Sequence, residues 1–122
     1  MPWRILLACA LAACTMTSRR DFPASGLAGN VRLTDLSAQD RATLCEWWST
    51  QLGGGGRSEH CSDCHGGGCI EWDVTVNTVE QCVQFLESAT CSATVKNVED
   101  CVFDQAPDLC ASPASCAVLD AC

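Results

Sequence analysis

The most reactive group of side chains lies in residues 60–69, which read HCSDCHGGGC. Within this stretch Cys61, Cys64 and His65 form a CxxCH pattern. Two thiols at this spacing can bond to the vinyl groups of a haem, and the histidine that follows can bind its iron. Covalent c-type haem is therefore one hypothesis for the role of these residues.

The rest of the chain gives a haem little support. Its two methionines, Met1 and Met16, lie far from the motif, and the other histidine, His60, flanks the motif itself. A haem pocket also needs an apolar shell, and the chain has three Phe and no Tyr. We therefore predict disulfide-bonded cysteines and no cofactor here, with a c-type mono-haem electron carrier as the alternative.

A zinc site is the other alternative for this stretch. Two imidazoles and three thiols are enough for tetrahedral coordination: His60, Cys61, Cys64, His65 and Cys69. Exported thiols tend to oxidise, however, and a structural zinc site usually takes its second pair of ligands from farther along the chain. We therefore predict no metal.

Other catalytic arrangements lack support in the sequence. Both histidines lie in the same glycine-rich stretch, and no GxSxG pattern occurs. Acidic pairs such as Asp73 and Glu80 are typical of helix starts and solvated surfaces. We predict that the protein is not an enzyme.

Residues 1–13 have the pattern of an export signal. One arginine precedes an apolar run that is too short to span a bilayer. Residues 11–14 read LAAC, which resembles a bacterial lipobox, where cleavage before the cysteine leaves a thiol that carries a diacylglycerol. We therefore predict a lipoprotein signal peptide over residues 1–13 and lipidation of Cys14, with an ordinary signal peptide as the alternative.

Lipidation of Cys14 would hold the protein on a membrane, because two or three acyl chains give stable anchoring. Residues 14–33 are predicted to be the lipidated cysteine and a flexible tether, since they are small and polar and have no hydrophobic period. Thr15 follows the cysteine, and resemblance to known sorting patterns then favours the outer membrane. We predict an exported protein anchored in the bacterial cell envelope.

The chain has twelve cysteines, of which Cys9 leaves with the signal peptide and Cys14 takes the lipid. The remaining ten are an even number at the density of a disulfide scaffold, and an exported chain meets an oxidising compartment. We therefore predict five disulfide bonds, made by Cys45, Cys61, Cys64, Cys69, Cys82, Cys91, Cys101, Cys110, Cys116 and Cys122.

The clearest secondary-structure signal is a helix over residues 37–52. Ser37 is a good N-cap with an acidic residue three positions later, and Gly53 suits the left-handed position that ends a helix. The residues at helical spacing on its apolar face are Leu44, Cys45, Trp48 and Leu52.

Residues 53–68 carry two glycine clusters and are predicted to be a flexible loop. The stretch that follows, CIEWDVTV, alternates apolar and polar residues and predicts a half-buried strand. A partner strand from about residues 57–62 would complete a small hairpin. The side chains expected to face the core are Ile70, Trp72, Val74 and Val76.

Residues 75–91 and 94–110 form an internal repeat at an offset of nineteen, and each contains C-x8-C. Each unit is predicted to start at a capping residue, Asn77 or Thr78 in the first and Asn97 in the second, and to continue as a short helix. Equivalent cysteines are expected to make equivalent bridges, or the two units to bridge each other.

A last helix is predicted at the C-terminus, with Ser112 as its cap and Pro113 at its first helical position. Residues 34–122 are thus expected to form one small disulfide-rich domain. It is mainly α, with about four short helices and one short β-hairpin.

The order of these features resembles the cysteine-rich lipoproteins that myxobacteria encode in many copies. The likeness is carried by the lipobox, the polar tether, LSAQDRATLCEWW, the glycine-rich loop and the spacing of VEQC and TVKNVEDC before the last cysteines. It covers about residues 33–122. That family has no assigned activity, so the resemblance implies a lipoprotein and no particular reaction.

The net charge of the domain limits the classes of partner that it can bind. From Ser58 onward the chain has one lysine against eleven acidic residues, a net charge of −10. Such a domain lacks a basic surface for nucleic acid. The sequence predicts a non-enzymatic, structural or partner-binding protein with an unknown protein partner. A disulfide-stapled inhibitor or toxin-like module is a third class, which fits the cysteine density but not the lipid anchor.

Overall fold

The structure is a computed structural model that describes residues 24–122. The predicted signal peptide and Cys14 lie outside the described residues. Within them the chain forms four α-helices and one antiparallel hairpin, which confirms the predicted fold class. The elements in chain order are α1 (Ala38–Gln51), β1 (Ser58–His65), β2 (Gly68–Thr75), α2 (Val79–Ser88), α3 (Val95–Gln105) and α4 (Ala117–Asp120).

The core lies between α1, α2 and α3. Its fully buried side chains include Leu33, Leu44, Leu86, Val98 and Leu109. A disulfide between Cys45 and Cys82 joins α1 to α2 across this core. Beside it, the rings of Trp48 and Phe85 pack edge to face with their centroids 6.3 Å apart.

The segment before α1 belongs to the same packed unit. The Ser25 N–H and hydroxyl both donate to Glu99 Oε1 on α3, over 3.0 and 2.7 Å. Farther along, the Leu33 N–H donates to the Ala93 carbonyl and the Val95 N–H to the Val31 carbonyl. Contacts with α3 therefore begin at Ser25, before the boundary at residue 34 that the sequence predicts.

Local hydrogen bonds explain where the helices start. The Ser37 hydroxyl accepts the Asp40 N–H at the start of α1, and Gly53 beyond its end has φ +94°, both as predicted. At α2, the Thr78 hydroxyl accepts the Gln81 N–H, while the Gln81 side chain accepts the Thr78 N–H. This reciprocal pair is a capping box.

The predicted cap of α3 is wrong. Thr94 is the N-cap, and Asn97 lies in the first turn, where its Oδ1 accepts the Thr94 N–H over 2.9 Å. Asn97 is thus the second half of a capping box whose first half lies three residues earlier. As a result, α3 begins sixteen residues after α2, although the sequence repeat has an offset of nineteen.

Both predictions for the repeat's bridges are also wrong, because equivalent cysteines meet different partners. Cys82 lies in the first turns of α2 and bonds to Cys45, whereas Cys101 lies farther along α3 and bonds to Cys116. The later cysteines of the two units pair just as differently, since Cys91 bonds to Cys122 and Cys110 to Cys61. The units neither repeat a bridge nor bridge each other.

The C-terminal helix begins later than predicted. Pro113 is extended, with ψ 143°, and no side chain caps the short 3-10 turn Ala114–Cys116 that follows it. The α-helical turn α4 comes only after that. The proposed roles of Ser112 as cap and Pro113 as first helical residue are therefore wrong.

The hairpin is confirmed, but its surroundings differ from the prediction. Residues 58–65 form a strand, so the predicted loop over 53–68 is confined to the turns on either side of it. Val76 is buried and Val74 half-buried, as expected. Ile70 and Trp72, however, are 72% and 38% exposed. The strand continues beyond the core, so the outer half of its apolar face meets solvent.

This exposure makes a matched pair of substitutions informative. Leu44→Ala is expected to lower the free energy of unfolding by about 2–5 kcal/mol, because it leaves a cavity in the core. Ile70→Ala is expected to change it by less than about 0.5 kcal/mol, as for a surface site. Urea unfolding with the disulfides intact measures both. A comparable loss in the two variants would show that Ile70 is part of the core.

Candidate functional site

The hairpin stands out from the helical body, and we call its residues, Ser58–Thr75, the arm. Its tip is a two-residue turn in which Gly66 and Gly67 have φ +60° and +86°. Positive φ at both positions suits the type I′ turn, whose twist matches that of paired strands. Two glycines in succession permit this tight reversal without steric strain.

A β-bulge marks the foot of the arm. The Gly56 N–H donates to the Val76 carbonyl and the Val76 N–H donates to the Arg57 carbonyl, both over 2.8 Å. Two residues thus lie opposite one, with Gly56 at φ +85°, as in a glycine-type bulge. Such bulges bend a strand and sharpen its twist, which suits a hairpin that turns away from the core.

The register divides the arm into two faces, because residues directly opposite each other point to the same side. The Trp72 face carries the pairs Glu59/Val74, Cys61/Trp72 and Asp63/Ile70. The His60 face carries the pairs Ser58/Thr75, His60/Asp73, Ser62/Glu71 and Cys64/Cys69. Strand β2 therefore contributes apolar side chains to one face and acidic side chains to the other.

Carboxylates engage both histidines of the arm. His60 Nδ1 lies 2.8 Å from Asp73 Oδ1, and His60 Nε2 lies 3.9 Å from Glu71 Oε1. His65 Nε2 lies 2.8 Å from Asp63 Oδ1. All these side chains are more than half exposed, and exposed ion pairs add little stability. No hydroxyl or thiol nucleophile contacts either ring among the described residues.

Two disulfides hold the arm in place. Cys64 and Cys69 face each other across the strands and bond next to the turn. Cys61, only 1% exposed, bonds to Cys110 in the segment after α3. The first bond closes the tip and the second ties β1 to the body, so the arm is held covalently at two levels.

The structure does not bring together the residues of the alternative haem-binding hypothesis. Cys61 and Cys64 belong to different disulfides and lie on opposite faces of β1. His65 lies beside the turn and contacts Asp63. The residues considered as zinc ligands divide in the same way, since their three sulfurs are all in disulfides.

One cluster that the sequence did not suggest lies at the foot of the arm. Glu59, Asp108 and Cys110 place potential ligand atoms within 4.8 Å of one another. The Cys110 sulfur is bonded to Cys61, which leaves two carboxylates. Calcium takes about six to eight oxygen ligands, so these two carboxylates are too few to form a calcium site.

A small cavity of about 130 Å³ lies beneath the arm, between β2, α1 and the end of α3. Its lining includes Trp48, Val74 and Leu109. A larger cleft of about 270 Å³ lies next to it and is lined by residues that include Phe85 and Leu119. Both volumes are below the range of about 300–1,000 Å³ that is usual for substrate and cofactor pockets. The arm, with two disulfides and two exposed apolar side chains, is therefore the stronger candidate for a functional site.

Comparison with known proteins supplies no identity, since no family model, curated protein or solved structure matches the chain. No helix in residues 24–122 is long and apolar enough to cross a membrane. The ten cysteines of this part of the chain form five disulfides, which confirms a disulfide-rich domain. Disulfides at this density indicate an oxidising, extracytoplasmic environment.

The sequence did contain a signal for the arm. Two glycines at positions 66 and 67 can form a two-residue hairpin turn between strands. Counting outward from that turn places Cys64 opposite Cys69, which is the observed pair. The signal was hidden because glycine clusters on both sides of β1 suggested one continuous loop.

The pairing can be checked by mapping the unreduced protein. We expect no alkylation of any cysteine in residues 24–122, because none of them carries a free thiol. Proteolysis at acidic residues cuts at Asp63, between the two cysteines of the CxxCH pattern. It should release a single peptide that holds Cys64 and Cys69, and a three-chain product in which residues 109–120 are bonded to the peptides of Cys61 and Cys101. A bond between Cys61 and Cys64 would contradict this geometry.

Proposed function

We propose that the protein is a lipid-anchored, non-enzymatic module of the bacterial cell envelope, and that its arm binds a partner protein. The observation that carries this proposal is the exposure of Ile70 and Trp72 on a doubly bridged hairpin. The five disulfides support an exported protein. The LAAC sequence at residues 11–14 supports an anchor in a membrane, and Thr15 after the cysteine supports the outer membrane.

The exposed pair is unusual for this chain. Among residues 24–122, Ile70 and Trp72 are the two large hydrophobic side chains that are exposed. They lie two positions apart on one strand and therefore share a face. Tryptophan is enriched among the residues that dominate binding energy in protein interfaces.

The disulfides support binding for an entropic reason. Association costs free energy when flexible segments have to be ordered. An isolated two-stranded hairpin is marginally stable in water. The Cys64–Cys69 and Cys61–Cys110 bonds fix the hairpin before a partner arrives, so that much of this ordering cost is already met.

A lipid anchor at Cys14 would set an upper limit on the distance between the domain and the membrane. Contacts with α3 begin at Ser25, which leaves the chain between Cys14 and Ala24 as the link. Ten residues span at most about 35 Å when fully extended. A lipidated Cys14 would therefore keep the body within about 35 Å of the lipid surface.

The intact mass of the native protein tests the anchor and the bridges together. Protein from a bacterial envelope that can attach haem should lack residues 1–13, carry acyl groups, and lack ten hydrogens relative to free thiols. The Cys14→Ala variant, as a control, should lose the acyl groups. A mass heavier by one haem and lacking only eight hydrogens would instead establish the mono-haem alternative.

Partner binding by the arm can be tested by photocrosslinking in the intact cell envelope. A photoreactive amino acid in place of Trp72 is expected to yield one dominant adduct, because this side chain lies on the exposed face of the arm. The same amino acid at Gln84, exposed on α2, serves as the control. The proposal fails if both positions give the same adducts or if position 72 gives none.

A further inference from the structure

The hydrogen bonds at the bulge determine which backbone groups of the arm point outward. Val76 and Arg57 form a hydrogen-bonded pair, and the two kinds of pair alternate along an antiparallel ladder. The pairs of the His60 face are therefore the non-hydrogen-bonded ones. Their N–H and C=O groups point away from the partner strand, and on β2 these residues are Cys69, Glu71, Asp73 and Thr75.

The two outer edges of the arm differ. The β1 edge is approached by the segment after α3, since Cys110 Sγ lies 4.0 Å from the His60 carbonyl oxygen. The sheet has two strands, so within residues 24–122 no strand pairs with the outer edge of β2. We call the outward N–H and C=O groups of β2 the β2 edge.

The β2 edge carries two acidic side chains but lacks the other common features that block pairing. Natural proteins protect exposed edges with charged side chains, lysine above all, and with proline, bulges or very short strands. Strand β2 is eight residues long and contains neither lysine nor proline, and the bulge lies beyond its end on the other strand. The edge can therefore accept another strand along most of its length, provided that the charges of that strand complement Glu71 and Asp73.

The side chains beside this edge define the strand that fits. A strand paired with β2 would place alternate residues next to Ile70 and Trp72 on one face and next to Glu71 and Asp73 on the other. Opposite charges at neighbouring cross-strand positions are favourable and like charges are unfavourable. The complementary strand thus alternates apolar residues with lysine or arginine.

Charge disfavours a second copy of this chain as that strand. Two β2 edges would bring Glu71 and Asp73 of each copy close together, in domains that carry a net charge of −10 from Ser58 onward. Like-charge juxtaposition of this kind suppresses association. A basic partner meets the same surface with attraction.

We infer that the arm binds by strand addition, in which an extended segment that alternates apolar with basic residues pairs with the β2 edge. This inference rests on the proposed function and names the chemistry of its partner. Backbone hydrogen bonds to the edge give affinity, as in other cases of strand addition. Contacts with Trp72 and with the two acids give specificity.

A synthetic peptide in which valine and lysine alternate is the probe, added to the full chain with its disulfides intact. Amide hydrogen exchange, followed residue by residue by NMR, should slow at Glu71 and Asp73 when the peptide binds. The N–H groups of Ile70 and Trp72 already pair with β1 and should not change. A peptide that alternates valine with glutamate should leave all four unchanged.

Matched variants separate the charges from the backbone. Glu71→Gln with Asp73→Asn should weaken peptide binding by about tenfold, the combined effect of two cross-strand charge pairs. The control variant Glu87→Gln, which removes an exposed acidic charge on α2, should have no effect on peptide binding. Glu71→Pro should weaken binding more than Glu71→Gln, because it also removes an outward N–H. Ser62→Pro, at the opposite position on β1, should leave binding intact.

Other occupants of the edge would overturn the inference. Slow exchange at Glu71 without peptide that increases with protein concentration would indicate a dimer. Slow exchange that is independent of concentration, and is lost when residues 14–23 are deleted, would indicate the chain's own tether. Slower exchange at Ser62 in place of Glu71 would indicate that the peptide binds at the outer edge of β1.

The photocrosslinking and exchange experiments together distinguish partner binding by the arm from strand addition at the β2 edge. A specific photocrosslink at position 72 without peptide-induced protection at Glu71 would leave partner binding standing and reject strand addition. Absence of both the photocrosslink and the protection would reject partner binding by the arm as well.

Discussion

The disulfide between Cys61 and Cys110 is the interaction on which the arm depends. Apart from the buried Cys61, the arm packs against the core mainly through Val74, and Val76 is buried just beyond its end. A hairpin with so little apolar contact would fray in water, since two strands alone are marginally stable. The bond to Cys110 fixes β1 to the segment after α3, and the arm then holds two apolar side chains in solvent at a defined place.

Disulfides also stabilise the rest of the domain. A chain of this size buries too small a core to supply much stability by itself, so disulfides have to stabilise what packing does not. Cys45–Cys82 joins the first two helices, Cys101–Cys116 joins α3 to the turn before α4, and Cys91–Cys122 holds the C-terminus. Four of the five bonds join residues that are 15 to 49 positions apart. The exception is Cys64–Cys69 at the tip of the arm, whose residues are 5 positions apart.

How much of the structure could be predicted from the sequence depends on how far apart in the chain the interacting residues lie. Helix α1 and its cap at Ser37 were predictable because a cap is made by residues three positions apart. The alternation of β2 was predictable too, but alternation shows only which residues share a face. Whether the face of Ile70 and Trp72 meets the core depends on where the hairpin leaves it, which the bulge at Gly56 decides. Apart from Cys64–Cys69, which the glycine turn places opposite each other, the disulfide pairing was beyond reach, since spacing alone leaves many connectivities open.

The CxxCH pattern shows how backbone conformation changes the meaning of a motif. Residues three apart lie on the same side of a helix and on opposite sides of a strand. On β1, the spacing therefore directs Cys61 towards the body and Cys64 towards the partner cysteine on β2, and each sulfur serves a different bond. The two cysteines that could have held a cofactor instead hold the arm at its foot and at its tip. Because they do, Ile70 and Trp72 remain exposed on a rigid strand, where a local conflict with the rule of burying apolar residues is most simply explained by function.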